Sequence, residues 1–229
     1  MLAVRAPLLY TLQPTYVLGV LPQLEQGLWL TIEISALGIA GAIVVGLVGG
    51  GIRAAHVPVL DAFTNACVEL IRNTPLLVQI FFLYFALPSA HLTLSAFTVG
   101  WLSLVLWGGA YNVENFRAGF EAVSSGQREA AAALGLTGLQ AFRYVVAPLG
   151  LRIALPSLTN TCISVLKNSS YLVAISLSEL TTTAVNIVAL SFRVFELFIT
   201  IGAVYLILVW GLSALMSVVE ARLALPGER

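Results

Sequence analysis

Apolar residues in this chain gather into blocks, and two of the blocks are long enough to cross a bilayer. Leu28 to Val48 contains no Lys or Arg and one acid, Glu33; it closes on Gly49-Gly50-Gly51 and Arg53. Phe195 to Met216 is equally clean and is closed by Glu220 and Arg222. A membrane-crossing helix needs about 20 mostly apolar residues, and both blocks supply them. Between them the pattern is interrupted. Leu76 to Leu87 is long enough for only half a bilayer and follows Glu69-Leu70-Ile71-Arg72-Asn73-Thr74-Pro75, so a second helix is expected from near Pro58, bent or broken at that point. A third is expected from Phe97 through Ala110, continuing across the polar stretch Tyr111 to Arg117, and a fourth from Ile153 to Leu177 with Lys167 near its middle. The pattern predicts an all-α, polytopic membrane protein with five crossings in a single domain spanning residues 1–229, its core at about 27–222.

Lys and Arg near span ends mark the cytoplasmic side. Arg53, then Arg117, Arg128, Arg143 and Arg152, then Arg222 and Arg229 fall on one side. The other receives Arg5, the segment Pro88 to Ala96 without Lys or Arg, and Arg193. This predicts an outside N-terminus and a cytoplasmic C-terminus, which an odd number of spans permits.

Composition narrows the class. Of 229 residues, 59% are hydrophobic and 10% charged, with 11 Lys+Arg against 11 Asp+Glu and a mean hydropathy of +0.96. Soluble domains carry about 25% charged residues, so a soluble enzyme and a disordered chain are excluded. A nucleic-acid partner is excluded too, since its basic footprint is missing. Cys67 and Cys162 lie in apolar stretches and give no metal-ligand or disulfide pattern. The first dozen residues, broken at Pro7, have no small-residue cleavage site and do not read as a signal peptide.

The longest cytoplasmic connection, about 122–151, reads as two short helices. Ser124 with Gln127 suits a capping box, Glu129 to Leu134 is a strong helix former, and Gly135 is a natural stop. Thr137 with Gln140 offers a second box, and the following helix is expected to stop before Pro148. Two capped helices at the membrane surface make a rigid knob suited to receiving force. Arg128 and Glu129 are expected to pair across an interface.

Glu129-Ala130-Ala131, three residues, Gly135, nine residues, then Val145-Val146-Ala147-Pro148 is similar to the EAA loop of ABC-importer permease subunits. Ala147 stands where that family has Leu, which thins an apolar contact. Three further blocks resemble the polar-amino-acid branch: Arg72 to Gln79, Ala110 to Arg117, and Leu166 to Ser170. The resemblance implies a type I importer fold. Its partners would be an ABC ATPase subunit, a second permease subunit (the same chain or a sister) and an external amino-acid-binding protein. It implies that ATP and Mg are bound by the ATPase, with no cofactor in this chain. It also implies that Glu129, Ala130, Ala131 and Gly135 dock the coupling helix on the ATPase, in a bacterial inner membrane.

The remaining polar residues each admit a plainer role. Pro75 leaves the Ile71 carbonyl without its helical donor. With Asn73, Thr74 and Gln79 beside it, a break lining a wet cavity is favoured over a simple kink. Lys167 costs at least about 2.5–3.5 kcal/mol at span depth without a partner. An ion pair with Glu179, Glu114 or Glu69, or a bond to free carbonyls, takes precedence over shaping the field at a substrate carboxylate. Asn168, Ser169 and Ser170 are the substrate-contact candidates, because neutral groups hold a zwitterion without trapping it. Glu114 and Arg117 share a helix face and read as a structural or gating pair, as do Glu69 and Arg72. Glu179 reads as a helix cap or external gate, His56 and His91 as loop residues, and Trp29, Trp101, Trp107 and Trp210 as belt or packing residues.

Three functions compete on these residues. A permease subunit moving polar amino acids leads. A self-sufficient secondary carrier requires inverted repeats, and none is evident. An intramembrane enzyme requires a nucleophile–base pair or metal site at depth. A phosphate-binding Gly-Lys-Ser/Thr loop is absent from the sequence, so ATP hydrolysis belongs elsewhere.

Overall fold

The computed structural model describes residues 13–223; Arg5, Pro7 and Arg229, used above for orientation and processing, lie outside them. Those residues form helices joined by short turns, with no strand among them. The helices are α1 (Pro14–Ala54), α2 (Pro58–Arg72), α3 (Leu76–Phe81), α4 (Ala96–Glu121), α5 (Ser125–Ala133), α6 (Gly138–Ala141), α7 (Ala147–Asn168), α8 (Leu180–Ser191) and α9 (Val194–Leu223). Beyond α3 the chain continues as a π turn, Phe82–Ala86, and a 3-10 turn, Leu87–Ala90.

α1 has 41 residues, or about 60 Å at 1.5 Å per residue, twice a bilayer's hydrocarbon core of about 30 Å. The expected first span is its inner part. By length and composition three helical stretches are able to cross a membrane: Thr15–Ala54, Gly138–Ile175 and Val194–Leu223. A fourth is added if the pair Pro58–Arg72 and Leu76–Ala90, bent by 101°, is taken as one. α4 has 26 residues and falls outside that set because glycines and asparagine lower its hydropathy. Its surroundings explain this composition. α4 is the central helix, wrapped by protein on several sides, and it carries buried Gly100, Gly108, Gly109, Asn112 and Gly119 among its apolar positions.

Small residues let the backbones close in where lipid offers no hydrophobic drive between helices. Gly38 of α1 meets Leu104, and Gly50 meets Phe116, so α1 and α4 run parallel. Gly108 meets Val165, while Gly119 meets Gly150, so α4 and α7 run antiparallel. The segment α2–α3 therefore returns the chain across the depth that α1 descends. α9 runs against α7, with Tyr205 beside Glu179 at one end and Thr159 donating to Glu220 at the other, 2.7 Å. The outer core joins Ile34, Leu76, Ile80, Val99, Leu104, Val165 and Leu172; the inner core joins Phe116, Phe120, Val123, Val146, Ala154 and Leu158.

The fourth expected span begins earlier than Ile153. α6, a π turn at Phe142–Val146 and α7 form one continuous helical rod, with Pro148 in the first turn of α7. The expected stop before Pro148 is thus corrected. At the start of an α-helix proline's missing N–H has no intrahelical partner to lose, and the π turn absorbs the change of register. After Asn168 the rod tightens into a 3-10 turn, Ser169–Ile175.

Glu179 caps α8, as one of its two readings had it. Its carboxylate accepts from the Thr182 and Thr181 amides at 2.7 and 2.9 Å and from Tyr205 at 3.1 Å. His56 and His91 sit at positive φ in turns. Trp29 and Trp210 are exposed, while Trp101 and Trp107 pack against the outer core.

Candidate functional site

The knob is built locally. Ser124 caps α5, its hydroxyl accepting from the Gln127 amide at 3.4 Å. The reciprocal half is absent: the Gln127 side chain instead accepts the Ser124 hydroxyl at 3.2 Å, so the first box is a single cap. The second is complete, with Gln140 N–H to Thr137 Oγ1 at 3.4 Å and Thr137 N–H to Gln140 Oε1 at 2.8 Å.

α5 ends on Gly135 at φ +79°, a left-handed position that costs an L side chain about 1–2 kcal/mol. Gly135 N–H reaches the Ala132 carbonyl at 2.9 Å, and Leu136 N–H reaches that of Ala131 at 3.2 Å. This paired arrangement closes the orphan carbonyls of a helix end. Ala131 is buried and roots the helix, whereas Glu129 and Ala130 are exposed. Leu134 and Leu139 are about as open as side chains in this fold become, 81% and 79% exposed. Large exposed apolar side chains rimmed by polar groups mark a surface made for a partner.

Of the two residues expected to pair across an interface, Glu129 is exposed, while the Arg128 guanidinium is engaged within this chain. It turns back: Nη2 donates to the Phe120 carbonyl at 2.7 Å and Nε to that of Val123 at 3.2 Å, at the C-terminal end of α4. Carbonyls with spare acceptor capacity past the last helical bonds, and the negative end of the helix dipole, draw the guanidinium there.

Glu114 and Arg117 do pair, at 2.8 and 3.1 Å, within a larger ladder. Arg117 also holds Glu121 at 2.6 Å, and Arg53 bridges Glu114 to Asp61, the latter at 3.0 Å. α1, α2 and α4 are thereby tied at the end that carries the knob. Arg53 and Asp61 were not foreseen as members, since only the fold brings their helices together. The Glu69–Arg72 pair does not form. Arg72 lies over the Tyr111 ring, 4.9 Å from its centroid, and Glu69 accepts from Asn65 at 3.1 Å. A guanidinium stacks well on an aromatic face, and Tyr111 offers one from the neighbouring helix.

At the break, α2 ends on Asn73 and Pro75 takes an extended conformation, ψ 135°. The Ile71 carbonyl, orphaned as expected, accepts from Gln79 Nε2 at 2.8 Å and from Thr74 Oγ1 at 3.3 Å. Gln79 also donates to the Thr74 carbonyl at 3.1 Å. Thr74 and Gln79 thus hold the bend, and Asn73 is exposed. Gln79→Leu is expected to take the Gln79 donor from the Thr74 carbonyl and to leave the Ile71 carbonyl with Thr74 Oγ1 alone, at a cost of about 1–3 kcal/mol. A fall of several degrees in the melting midpoint of the detergent-solubilised subunit would register it.

Lys167 has no ion-pair partner among the described residues and is exposed on this chain. The favoured structural pair is corrected: Glu114 is held by two arginines, Glu179 caps α8 and Glu69 lies with Asn65. Asn168 is half-buried. Ser169 is fully buried, its hydroxyl donating to the Leu166 carbonyl at 2.7 Å, and Ser170 donates to that of Lys167 at 2.8 Å. Both serines sit where the α-helix tightens. α3 packs its Leu76 and Ile80 against Leu172 and Ile175 of that 3-10 turn, which brings the segments Asn73–Gln79 and Lys167–Ser170 onto adjoining elements.

One feature escaped the sequence reading. Ser157, Asn160, Ser164 and Lys167 recur at three-and-four spacing along α7, Tyr171 continues the row in the 3-10 turn, and none of them is buried. A polar stripe along a span is costly against lipid and belongs on a wet path or a protein contact. Its three-and-four spacing was visible in the sequence. The opposite polar face, where Asn115 donates to Thr161 at 2.9 Å and to Asn112 at 3.2 Å, is internal.

Comparison with known proteins agrees with this geometry. Residues 42–225 match the family model described as binding-protein-dependent transport system inner membrane component. The glutamine transport system permease protein GlnP of Escherichia coli K12 is 37% identical over 205 residues, covering 89% of this chain and 94% of that protein. The probable glutamine ABC transporter permease GlnM of Bacillus subtilis is 34% identical over 197 residues, covering 86% and 91%. A crystal structure described as an amino acid ABC transporter with histidines aligns with TM-score 0.86 at 33% identity, over 93% of this chain and 99% of that one. An inward-facing MetNI methionine ABC transporter shares the fold, TM-score 0.78 at 17% identity, over 90% and 99%. The chain belongs to the family of inner membrane components of binding-protein-dependent transport systems, the permeases of ABC importers.

Proposed function

We propose that this chain is the permease subunit of an ATP-driven importer for polar amino acids in a bacterial inner membrane. The observation that carries the reading is the exposed knob around Glu129 to Gly135 in a chain of this family, joined by a rigid rod to a polar stripe at span depth. Its relatives named for glutamine transport support a neutral polar substrate; unpaired Lys167 supports an acidic one equally well. The chain crosses the bilayer five times, with the bent α2–α3 pair and α4 as the second and third crossings, an outside N-terminus and a cytoplasmic C-terminus.

The mechanism follows from stiffness. Partner ATPases, which bind ATP and Mg, close and draw two knobs together, one from this chain and one from a second permease subunit. The rod α6–α7 and the ladder-bound helices α1, α2 and α4 move with the knob as bodies. The face carrying Asn160, Ser164, Lys167 and Asn168, beside the break at Asn73, Thr74 and Gln79, then opens toward an external binding protein that delivers the amino acid. A self-sufficient carrier is the weaker reading, because half of the path face is left open on one chain.

The test is reconstitution of the subunit with its ATPase in vesicles, supplied with binding protein and labelled glutamine, glutamate or aspartate. ATP-dependent uptake supports the reading; uptake by this chain alone under an ion gradient would replace it with the carrier. In the same vesicles Asn168→Asp is expected to lower uptake of acidic amino acids at least about tenfold relative to glutamine, as like charges repel across a short gap. An unchanged competition profile would remove Asn168 from the path.

A further inference from the structure

The strongest unassigned feature is the grip of the knob on the end of α4. Arg128 lies in the first turns of α5, where the positive end of the helix dipole disfavours a cation. It is held there by two carbonyls outside its own helix, those of Phe120 and Val123, at 2.7 and 3.2 Å. The planar guanidinium reaches both at once, as an ammonium does not. Val123 is buried, Phe120 is buried, and Phe120 packs edge-on against Phe142 of the rod with ring centroids 5.3 Å apart. From the end of α4 the charge ladder continues through Glu121, Arg117 and Glu114 to Arg53 and Asp61.

We infer that Arg128 is a positioning residue that fastens the coupling helix to α4, so that displacement of the knob reaches α4, α1 and α2 as well as the rod. The inference rests on the docking reading of the knob. Without Arg128 the α5 helix loses its side-chain bonds to the end of α4 and keeps the short turn 122–124, so more of a pull on it is taken up as bending. The ATPase would still dock through the outward face, Glu129, Leu134 and Leu139, and still turn over. Less of its stroke would arrive at the spans.

The experiment uses the assembled complex of permease, ATPase and binding protein in vesicles, and reads substrate taken up per ATP hydrolysed. Arg128→Ala is expected to assemble and hydrolyse ATP, with the uptake-to-hydrolysis ratio reduced about fivefold or more, the scale of an ordinary coupling between sites. Arg128→Lys is expected to recover part of that ratio. A wild-type ratio in Arg128→Ala overturns the inference. So does loss of ATPase association in Arg128→Ala, which would make it a docking residue. If Arg128→Ala fails to fold, Arg128→Lys decides: a ratio below wild type supports the inference and a wild-type ratio overturns it. Glu129→Lys is run alongside. If it abolishes ATPase association while Arg128→Ala keeps the wild-type ratio, the inference alone fails. If both variants behave as wild type, the docking reading fails with it.

Discussion

Gly150→Val is expected to prevent α7 from seating on α4 and to leave little folded subunit in the membrane. A Cβ at Gly150 would stand 2.6 Å from Phe120 Cδ1, 2.8 Å from Phe120 Cα and 2.9 Å from the Gly119 carbonyl oxygen. Two of those three atoms are backbone, so no side-chain rotation relieves the clash, and valine adds two methyl groups to it. Overpacking of a core costs about 1–3 kcal/mol, and more where the backbone must shift. The α4–α7 crossing also seats the inner core at Phe120 and Ala154, so the loss spreads to the root of the knob. Yield of monodisperse protein after detergent extraction, and its melting midpoint, measure the effect. Gly126→Val is the control, because nothing lies within 4 Å of a Cβ there. Wild-type yield and stability in Gly150→Val would mean that the two helices do not meet as described.

Gly135→Val is expected to spare folding of the spans and remove most ATP-driven uptake. At φ +79° a β-branched residue is strained by at least about 1–2 kcal/mol, and the cheapest relief is to unwind the last turn of α5. That loses the bonds from Gly135 and Leu136 to Ala132 and Ala131 and displaces the exposed Leu134 at the end of the helix. Nothing lies within 4 Å of a Cβ at this glycine, so the effect comes from backbone conformation rather than crowding. Uptake is expected to fall at least about tenfold, the size of a misplacement in a coupled site. Gly135→Asn, which tolerates the left-handed region, is expected to keep much more of it. Equal uptake in all three proteins would show that the shape of this turn does not matter to transport.

Much of the knob was legible because its structure is local. Ser124, Thr137, Gln140 and Gly135 act on atoms within a few residues of themselves, and all four took the roles that their spacing implied. The reversed Gln127 side chain is the exception, and it depends on which of two local bonds forms. The orphaned carbonyl at Ile71 was legible for the same reason, since proline acts on the residue four before it. Its resolution by Gln79 required the bend itself.

Pairings between helices were not legible. Spacing puts Glu69 and Arg72 on one face just as it puts Glu114 and Arg117 on another, yet the first pair is displaced by Tyr111 and the second is reinforced by Arg53. From the sequence Arg128 is expected to serve an interface together with Glu129, whereas its side-chain partners are the Phe120 and Val123 carbonyls, which come within reach only where α4 ends.

The amino-acid order by itself determined the blocks that enter the bilayer, the charge asymmetry at their ends and the capped knob, because hydropathy and capping are properties of a residue and its near neighbours. Only the tertiary structure decided which polar span residues are internal, as Asn112, Thr161 and Ser169 are, and which are left open, as Ser157, Asn160 and Lys167 are. It also decided that the least apolar long helix, α4, stands at the centre. A helix surrounded by other helices is selected for small residues and close backbone approach, and a hydropathy scale records only what would favour lipid.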